Sequence, residues 1–274
     1  MILIVDCGAT KAVWCAVEEG RRKEMLTPGI NFAHAAPEEM DAGLAQAASA
    51  FPDPVEKLWF YGAGLVSAAM EEDLQQRLRK HFPGTEIACA SDMVGAARAA
   101  CGREPGIAAI LGTGANTCQW DGERIVRSIP SGGFILGDEG SASVLGRQFI
   151  TDYLKDQVPE SLATAFRHRF QADYPTLVKH VYGSDAPAAY LGGFAPFLLE
   201  HAATEPYVKQ LVEANFRGFF ERAVLRYDRL PVGVVGGFGY ACREILMDMA
   251  RQYDIQMTQF LKTPMEGLLQ YHGL

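Results

Sequence analysis

The sequence has no apolar run long enough to span a bilayer. It opens on a strand-like segment, without the basic stretch, apolar core and small-residue cleavage site of a secretory leader. A cytoplasmic protein with no membrane partner is therefore expected. The six cysteines (Cys7, Cys15, Cys89, Cys101, Cys118, Cys242) include no C-x-x-C pair and sit mostly in strand-like runs, which suits buried free thiols in a reducing compartment. The six histidines show neither H-x-x-x-H nor H-x-H spacing, so a dedicated transition-metal site is not expected. Positive charge is in deficit, with 25 Lys and Arg against 33 Asp and Glu and a net charge of −8. That balance argues against a nucleic-acid partner or an anionic membrane surface. It leaves room for a local anion site made of backbone amides and one lysine.

The 274 residues, 49% of them hydrophobic, suffice for one large or two ordinary domains. Apolar runs over 2–6 and 12–18, with a third near 22–26, predict an antiparallel meander. A helix follows over 38–51, then a strand in KLWFYGAG, a helix in AAMEEDLQQRLRKHF, a strand in TEIACA and a helix in SDMVGAARAACG. The pattern then restarts. GIAAILGTGANTCQWDGERIVRS is again a strand, a Gly-Thr-Gly turn and two further strands, which reads as an internal duplication or as two unrelated hairpins. Downstream, APAAYLGGFAPFLLEHA reads as one buried helix and YVKQLVEANFRGFFERAVLRYD as a long amphipathic one, with Val208, Leu211, Val212, Phe216, Phe219 and Phe220 toward the core. PVGVVGGFGYACREILMDMA is a strand, a glycine turn and a helix. Trp59 and Trp120 read as strand core.

Three turns carry chemistry. In Asp6-Cys7-Gly8-Ala9-Thr10-Lys11 the glycine permits close backbone approach, Thr10 offers a hydroxyl and an amide, and Lys11 a point charge for a terminal phosphate. Asp6 suits the Mg²⁺ that accompanies a triphosphate, or it is simply a turn former. Gly112-Thr113-Gly114-Ala115-Asn116 repeats the device, and two such turns facing each other would clamp one polyphosphate. Gly236 and Gly237 would let an adenine or ribose lie on backbone; alternatively they mark a close helix–strand contact.

Asp-x-Gly-x-Thr-Lys, Ser-Asp-x-x-Gly-Ala, Leu-Gly-Thr-Gly-x-Asn, Gly-Asp-Glu-Gly-Ser and a final Gly-Gly together resemble the BadF/BadG/BcrA/BcrD-type ATPase family, and within it the N-acetylglucosamine kinase branch. The resemblance spans nearly the whole chain. It implies an α/β fold of two duplicated actin-like ATPase (ribonuclease H-like) domains with a nucleotide cleft between them. The domains would cover 1–105 and 106–262, with a last helix within 263–274 returning to the first. It implies ATP and Mg²⁺ as cofactors, an amino-sugar substrate, and a homodimer as in many relatives, for which the apolar helices between 190 and 227 are available if the core does not use them. Asp92 matches the family's general base, although Ser-Asp before a helix also reads as a plain N-cap. Gly8, Thr10, Lys11, Thr113, Gly114, Gly236 and Gly237 match nucleotide contacts, and Asp6 the metal-holding position. Asn31, Ala115, Asn116, Gly133 and Asp138 match sugar contacts, with Gly132 beside Gly133 on the acetamido side. Asn31 also reads as a loop asparagine, and Asp138-Glu139 as helix N-terminal charge.

One departure stands out: relatives commonly carry Gly-Gly-Trp-Gly before Gly-Asp-Glu-Gly, whereas GGFILGDEGS is shorter by about two residues and has no tryptophan. N-acetylglucosamine is the expected acceptor, with N-acetylmuramic acid and glucosamine as alternatives. A competing expectation is the family's activator branch, an ATPase that feeds electrons to a dehydratase through a dimer-bridging iron–sulfur cluster, for which Cys101 is the nearest candidate. A non-catalytic sugar sensor is a third, though Asp92 and Lys11 are both retained.

Overall fold

A computed structural model describes residues 1–33 and 35–274. The chain divides into two compact units: Met1–Glu104 with Gly122–Arg124 and Thr263–Leu274, and Pro105–Asp121 with Ile125–Lys262. Among the described residues, no helix is long and apolar enough to cross a membrane.

The first unit runs β1 (Ile2–Cys7), β2 (Lys11–Glu18), β3 (Arg21–Pro28), α1 (Pro37–Ser49), β4 (Lys57–Gly62), α2 (Ala68–His81), β5 (Glu86–Ser91) and α3 (Asp92–Cys101). Its sheet has the order β3-β2-β1-β4-β5, with β1 antiparallel to β2 and parallel to β4. β1 is apolar from Ile2 to Val5 because, as the middle strand, it is covered on both faces. The period-two alternation sends Leu3, Val5 and Cys7 to the core packed by α1 and α2, with Leu44, Leu74 and Leu78. Trp14 anchors that core, with ring centroids 5.7 Å from Phe60 and 6.4 Å from both Phe51 and Phe82. Ile4 and Asp6 take the other face, in register with Trp59 and Tyr61 of β4. Exposed β3 carries Arg21, Arg22, Lys23 and Glu24 in succession, and a charged edge discourages pairing with another chain.

The second unit repeats the plan with β6 (Gly106–Leu111), β7 (Ala115–Trp120) and β8 (Ile125–Ile129), followed by α4 (Gly133–Leu136), α5 (Ala142–Tyr153), α6 (Glu160–Phe170), α7 (Tyr174–Tyr182), α8 (Pro187–Gly192), α9 (Ala195–His201) and α10 (Pro206–Arg222). Then come β9 (Val232–Val235), α11 (Gly237–Ala241), α12 (Arg243–Gln252) and β10 (Met257–Leu261). Its order, β10-β9-β6-β7-β8, matches that of the first sheet, with β6 in the place of β1. The fold is the duplicated actin-like ATPase arrangement that the motifs imply.

Four elements differ from the sequence reading. The single helix expected over APAAYLGGFAPFLLEHA is two, α8 and α9, separated at Gly193-Phe194. Pro196 lacks the N–H that would bond back to Gly192, and its ring crowds that carbonyl. The long helix after 206 ends at Arg222, and Val224–Arg226 form a 3₁₀ turn. The helix after Gly236 breaks at Cys242 into α11 and α12. β10 was not anticipated; it is a half-buried edge strand beside β9 with weak apolar alternation. The apolar side chains between 190 and 220, among them Leu191, Phe197, Val208 and Phe216, belong to the core of this unit.

α13 (Met265–His272) closes the first unit against α3. A Cβ at Gly267 would come within 2.3 Å of the Ala99 carbonyl oxygen, so only glycine allows this approach. The Tyr61 hydroxyl accepts from Arg98 at 2.9 Å and lies 2.8 Å from His272 Nε2. Trp59 is half-buried rather than core, and stacks on the His272 ring at 3.8 Å, while Trp120 is fully buried. Burial, then Arg98 and Arg103, lower the His272 pKa from 6.5 to about 4. Between those values the unfolded chain binds the proton and the folded one does not, so this stabilisation is present above pH 6.5 and is lost as pH falls toward 4. Thermal unfolding between pH 7 and pH 4 should therefore show a smaller loss of Tm in His272→Phe, which keeps the stack on Trp59, than in the parent chain. Equal losses would contradict this role.

Candidate functional site

Both sheets end in a glycine turn at the carboxyl edge of their central strand, the edge at which open α/β sheets bind ligands. In the first unit the turn after β1 is closed by a bond from Gly8 N–H to the Lys11 carbonyl at 3.0 Å, leaving Ala9, Thr10 and Lys11 exposed. Gly29 supports it from beneath: a Cβ there would lie 2.1 Å from the Gly8 oxygen and 2.5 Å from Lys11 N.

Asp6 and Asp92 meet on one face of this sheet, because Asp6 points to the side that α3 covers and Asp92 opens α3. Burial foremost, and then the charge of Asp92, lift the Asp6 carboxyl to about 7, with Lys11 pulling the other way. Burial lifts Asp92 to about 6 against hydrogen bonds from the backbone of Met93 and its own N–H. No hydrogen bond to the Asp6 carboxylate offsets its burial among the described residues. Their ionised forms oppose folding as pH rises from 3.8 through about 6 to 7, which is a cost without structural return. Ser91, not Asp92, caps α3, its hydroxyl accepting from Val94 N–H at 3.3 Å. A largely desolvated carboxylate that accepts no hydrogen bond among the described residues, beside a second carboxylate and an exposed lysine, suits a Mg²⁺ ion that keeps waters and phosphate oxygens as its other ligands. Among the described residues no three His, Cys, Asp or Glu side chains gather as a self-sufficient metal site. Asn31 is engaged locally: its Oδ1 accepts from Ala33 N–H at 3.1 Å, leaving the amide nitrogen available. Cys101, partly buried at the end of α3, has its thiol pushed up to about 11 by burial, and all six cysteines are free.

In the second unit, Ala142 and Ser143 at the start of α5 donate to the carbonyls of Gly112 and Thr113 at 2.9 and 3.1 Å. Two of the N–H groups that a helix start leaves unpaired therefore hold the Gly-Thr-Gly turn, while the Thr113 side chain stays exposed. Asp138 has a left-handed backbone (φ 56°), tolerable for aspartate, and its carboxylate sits against this turn, 3.0 Å from where a Cβ at Gly114 would lie. Burial raises its pKa, opposed by hydrogen bonds from Ala115 N–H, the Ser131 hydroxyl and Gly133 N–H. Ala115, Asn116, Gly132 and Asp138 line one recess of about 200 Å³. Asn116 Oδ1 accepts from Thr117 N–H at 2.9 Å. A larger recess of about 710 Å³ lies at the opposite, amino end of β6, β9 and β10 and holds none of the sequence-predicted residues; size alone would misplace the site.

Gly236 is needed by the fold, with φ 125° and the Leu111 carbonyl 2.4 Å from any Cβ. Gly112 and Gly237 are different. A Cβ at either would meet nothing within 4 Å, and neither has a positive φ. Among the described residues no neighbour requires glycine at these two positions, which leaves room for a ligand held against the backbone. Residues that the sequence reading passed over are Ser131, which donates to Asp138, and Asn215 and Arg222 of α10, which hold the turn carrying Asp138 and Glu139. Asn215 was detectable as a polar residue within the apolar stripe of α10.

No protein-family model and no curated protein matches the chain. Solved structures do. A Porphyromonas gingivalis protein named a putative N-acetylglucosamine kinase is 39% identical, with a TM-score of 0.92 over 99% of this chain and 98% of that one. A Chromobacterium violaceum protein of the same name is 21% identical, with a TM-score of 0.68 over 98% of each chain. A ROK family glucokinase from Streptomyces griseus, in complex with glucose and AMPPNP, is 18% identical, with a TM-score of 0.58 over 98% of this chain and 97% of that one. These last two are similar in fold.

The open space around Gly112 and Gly237 separates a ligand role from a structural one. Gly112→Ala and Gly237→Ala are expected to leave Tm within about 2 °C, since no contact is lost or strained. They should weaken binding of a fluorescent ATP analogue about tenfold. A lowered Tm with unchanged binding would assign these glycines to the fold.

Proposed function

The chain belongs to the same family as the Porphyromonas gingivalis protein, and from that premise we propose that it is an ATP-dependent amino-sugar kinase. It transfers the γ-phosphate to a hydroxyl of an N-acetylated amino sugar, N-acetylglucosamine foremost, with N-acetylmuramic acid and glucosamine as alternatives. The motif set supports the N-acetylglucosamine kinase branch of the BadF/BadG/BcrA/BcrD-type ATPases. The protein works in the cytoplasm, and a homodimer is its proposed assembly. The observation that carries the proposal is the Asp6–Asp92 pair: two carboxylates that burial and mutual repulsion make costly, placed beside a Gly-x-Thr-Lys turn.

Asp92 is the general base. It accepts the proton of the attacking sugar hydroxyl, and a pKa raised to about 6 makes it a stronger base that is still ionised at neutral pH. Mg²⁺, when bound, supplies neutralisation of phosphate charge, and Asp6 is the residue that would hold it. Gly8 allows close approach of the nucleotide's tail, Thr10 donates to it, and Lys11 provides a positive charge. Thr113 and Gly114 are phosphate contacts of the second unit, and Gly236 and Gly237 take the adenosine. The sugar is oriented by Asp138, whose carboxylate accepts from vicinal hydroxyls, by Asn116 and the Ala115 backbone, by Gly133, and by the free amide of Asn31.

A coupled assay of ADP release over N-acetylglucosamine, N-acetylmuramic acid, glucosamine, N-acetylmannosamine and glucose tests the reading. Turnover with at least one N-acetylated amino sugar is expected. Asp92→Asn should lower kcat by about a hundredfold or more, the usual weight of a general base, while the nucleotide Kd stays within about threefold. Undiminished turnover in that variant would remove Asp92 from the role.

A further inference from the structure

We propose that Asn215 is a positioning residue that sets the sugar-contacting and phosphate-contacting segments of the second unit together. This rests on the kinase reading. Asn215 lies on α10 at 1% exposure, within an apolar stripe that includes Val212, Phe216 and Phe219. A buried polar side chain there is costly unless it is hydrogen-bonded, and both ends of this amide have a partner. Its Oδ1 accepts from Gly140 N–H at 2.9 Å, and its Nδ2 donates to the Ser141 carbonyl at 2.9 Å.

The two bonds clamp a short segment with two outputs. On the amino side, Ser141 N–H donates to the Asp138 carbonyl at 3.0 Å, so the clamp fixes the left-handed turn that aims the Asp138 carboxylate. On the carboxyl side, Ser141 caps α5, whose next two N–H groups hold the carbonyls of Gly112 and Thr113. Ser141 and Ser143 are both fully buried, so no water competes for these bonds. A tilt of the Gly140–Ser141 peptide would move the Asp138 carboxylate and the Gly-Thr-Gly turn at once. Preorganised groups lose much of their effect with displacements well under 1 Å.

The neighbouring Arg222 has a narrower reach. Its guanidinium bonds Glu139 Oε1 at 2.8 Å, and among the described residues it makes no hydrogen bond to α5 or to the Gly-Thr-Gly turn. The two residues therefore have different expected signatures.

Asn215→Asp keeps the size and the acceptor but loses the donor to Ser141. At a temperature well below its Tm, it should raise KM for both the sugar and ATP by about tenfold or more, whereas Arg222→Gln should raise the sugar KM alone. Val208→Ala, a cavity two turns earlier on α10, controls for lost stability and should leave both constants unchanged. If Asn215→Asp does not fold, Asn215→Ser, whose side chain is too short to bridge Gly140 and Ser141, takes its place. It should raise both KM values as well, and unchanged values there would equally overturn the proposal. Hydrogen exchange of the unliganded protein adds a readout independent of activity: protection over 138–146 should fall in Asn215→Asp and not in Val208→Ala. Loss of that protection in a protein without kinase activity would retain the clamp and discard the kinase reading. Unchanged protection, or unchanged KM values in Asn215→Asp, would overturn the proposal.

Discussion

Like charges held together inside a protein are the constraint from which the site in the first unit follows. Asp6 reaches the face shared with α3 because strand side chains alternate, and Asp92 arrives there because β5 runs parallel to β4 and ends level with it. Neither placement helps the fold, since Ser91 already caps α3 and nothing bonds the Asp6 carboxylate among the described residues. Stability lost where local rules are broken is characteristic of a working site. Lys11 offsets part of the repulsion.

The second unit reaches a comparable end by other means. There the first N–H groups of α5 hold the Gly112 and Thr113 carbonyls. Those N–H groups are thereby spent within the protein, so this helix start is a scaffold for the turn and not an anion site in its own right. Asp138 is drawn onto the same turn by bonds from Ala115, Ser131 and Gly133. Duplicated sheets have thus diverged in what they hold at equivalent edges.

Much of the architecture was legible because each central strand is an apolar run that ends at a glycine. β1, β2, β6 and β7 were all bounded in this way, and the strand orders agree with a repeat. Legibility failed where a single residue overrode a periodic pattern. Pro196 split one apolar stretch into α8 and α9, and half-buried β10 had too little alternation to register. The motifs brought forward Asp6, Asp92 and Asp138, which the structure places at the carboxyl edges of their sheets. They were silent on Asn215, whose partners are backbone groups about 75 residues away and so leave no local spacing in the sequence. Trp59 was misjudged for a related reason: its stacking partner, His272, is supplied by the last helix of the chain.

That last helix has a consequence for how the protein is made. All five strands of the first sheet leave the ribosome before the second unit does, yet Ala99 and Tyr61 lack their covering until α13 follows that unit. The half synthesised earliest is therefore the half completed latest. A polypeptide without Thr263–Leu274 would keep the full sequence of its second unit and leave an open apolar flank on its first, a clear signal for cellular quality control.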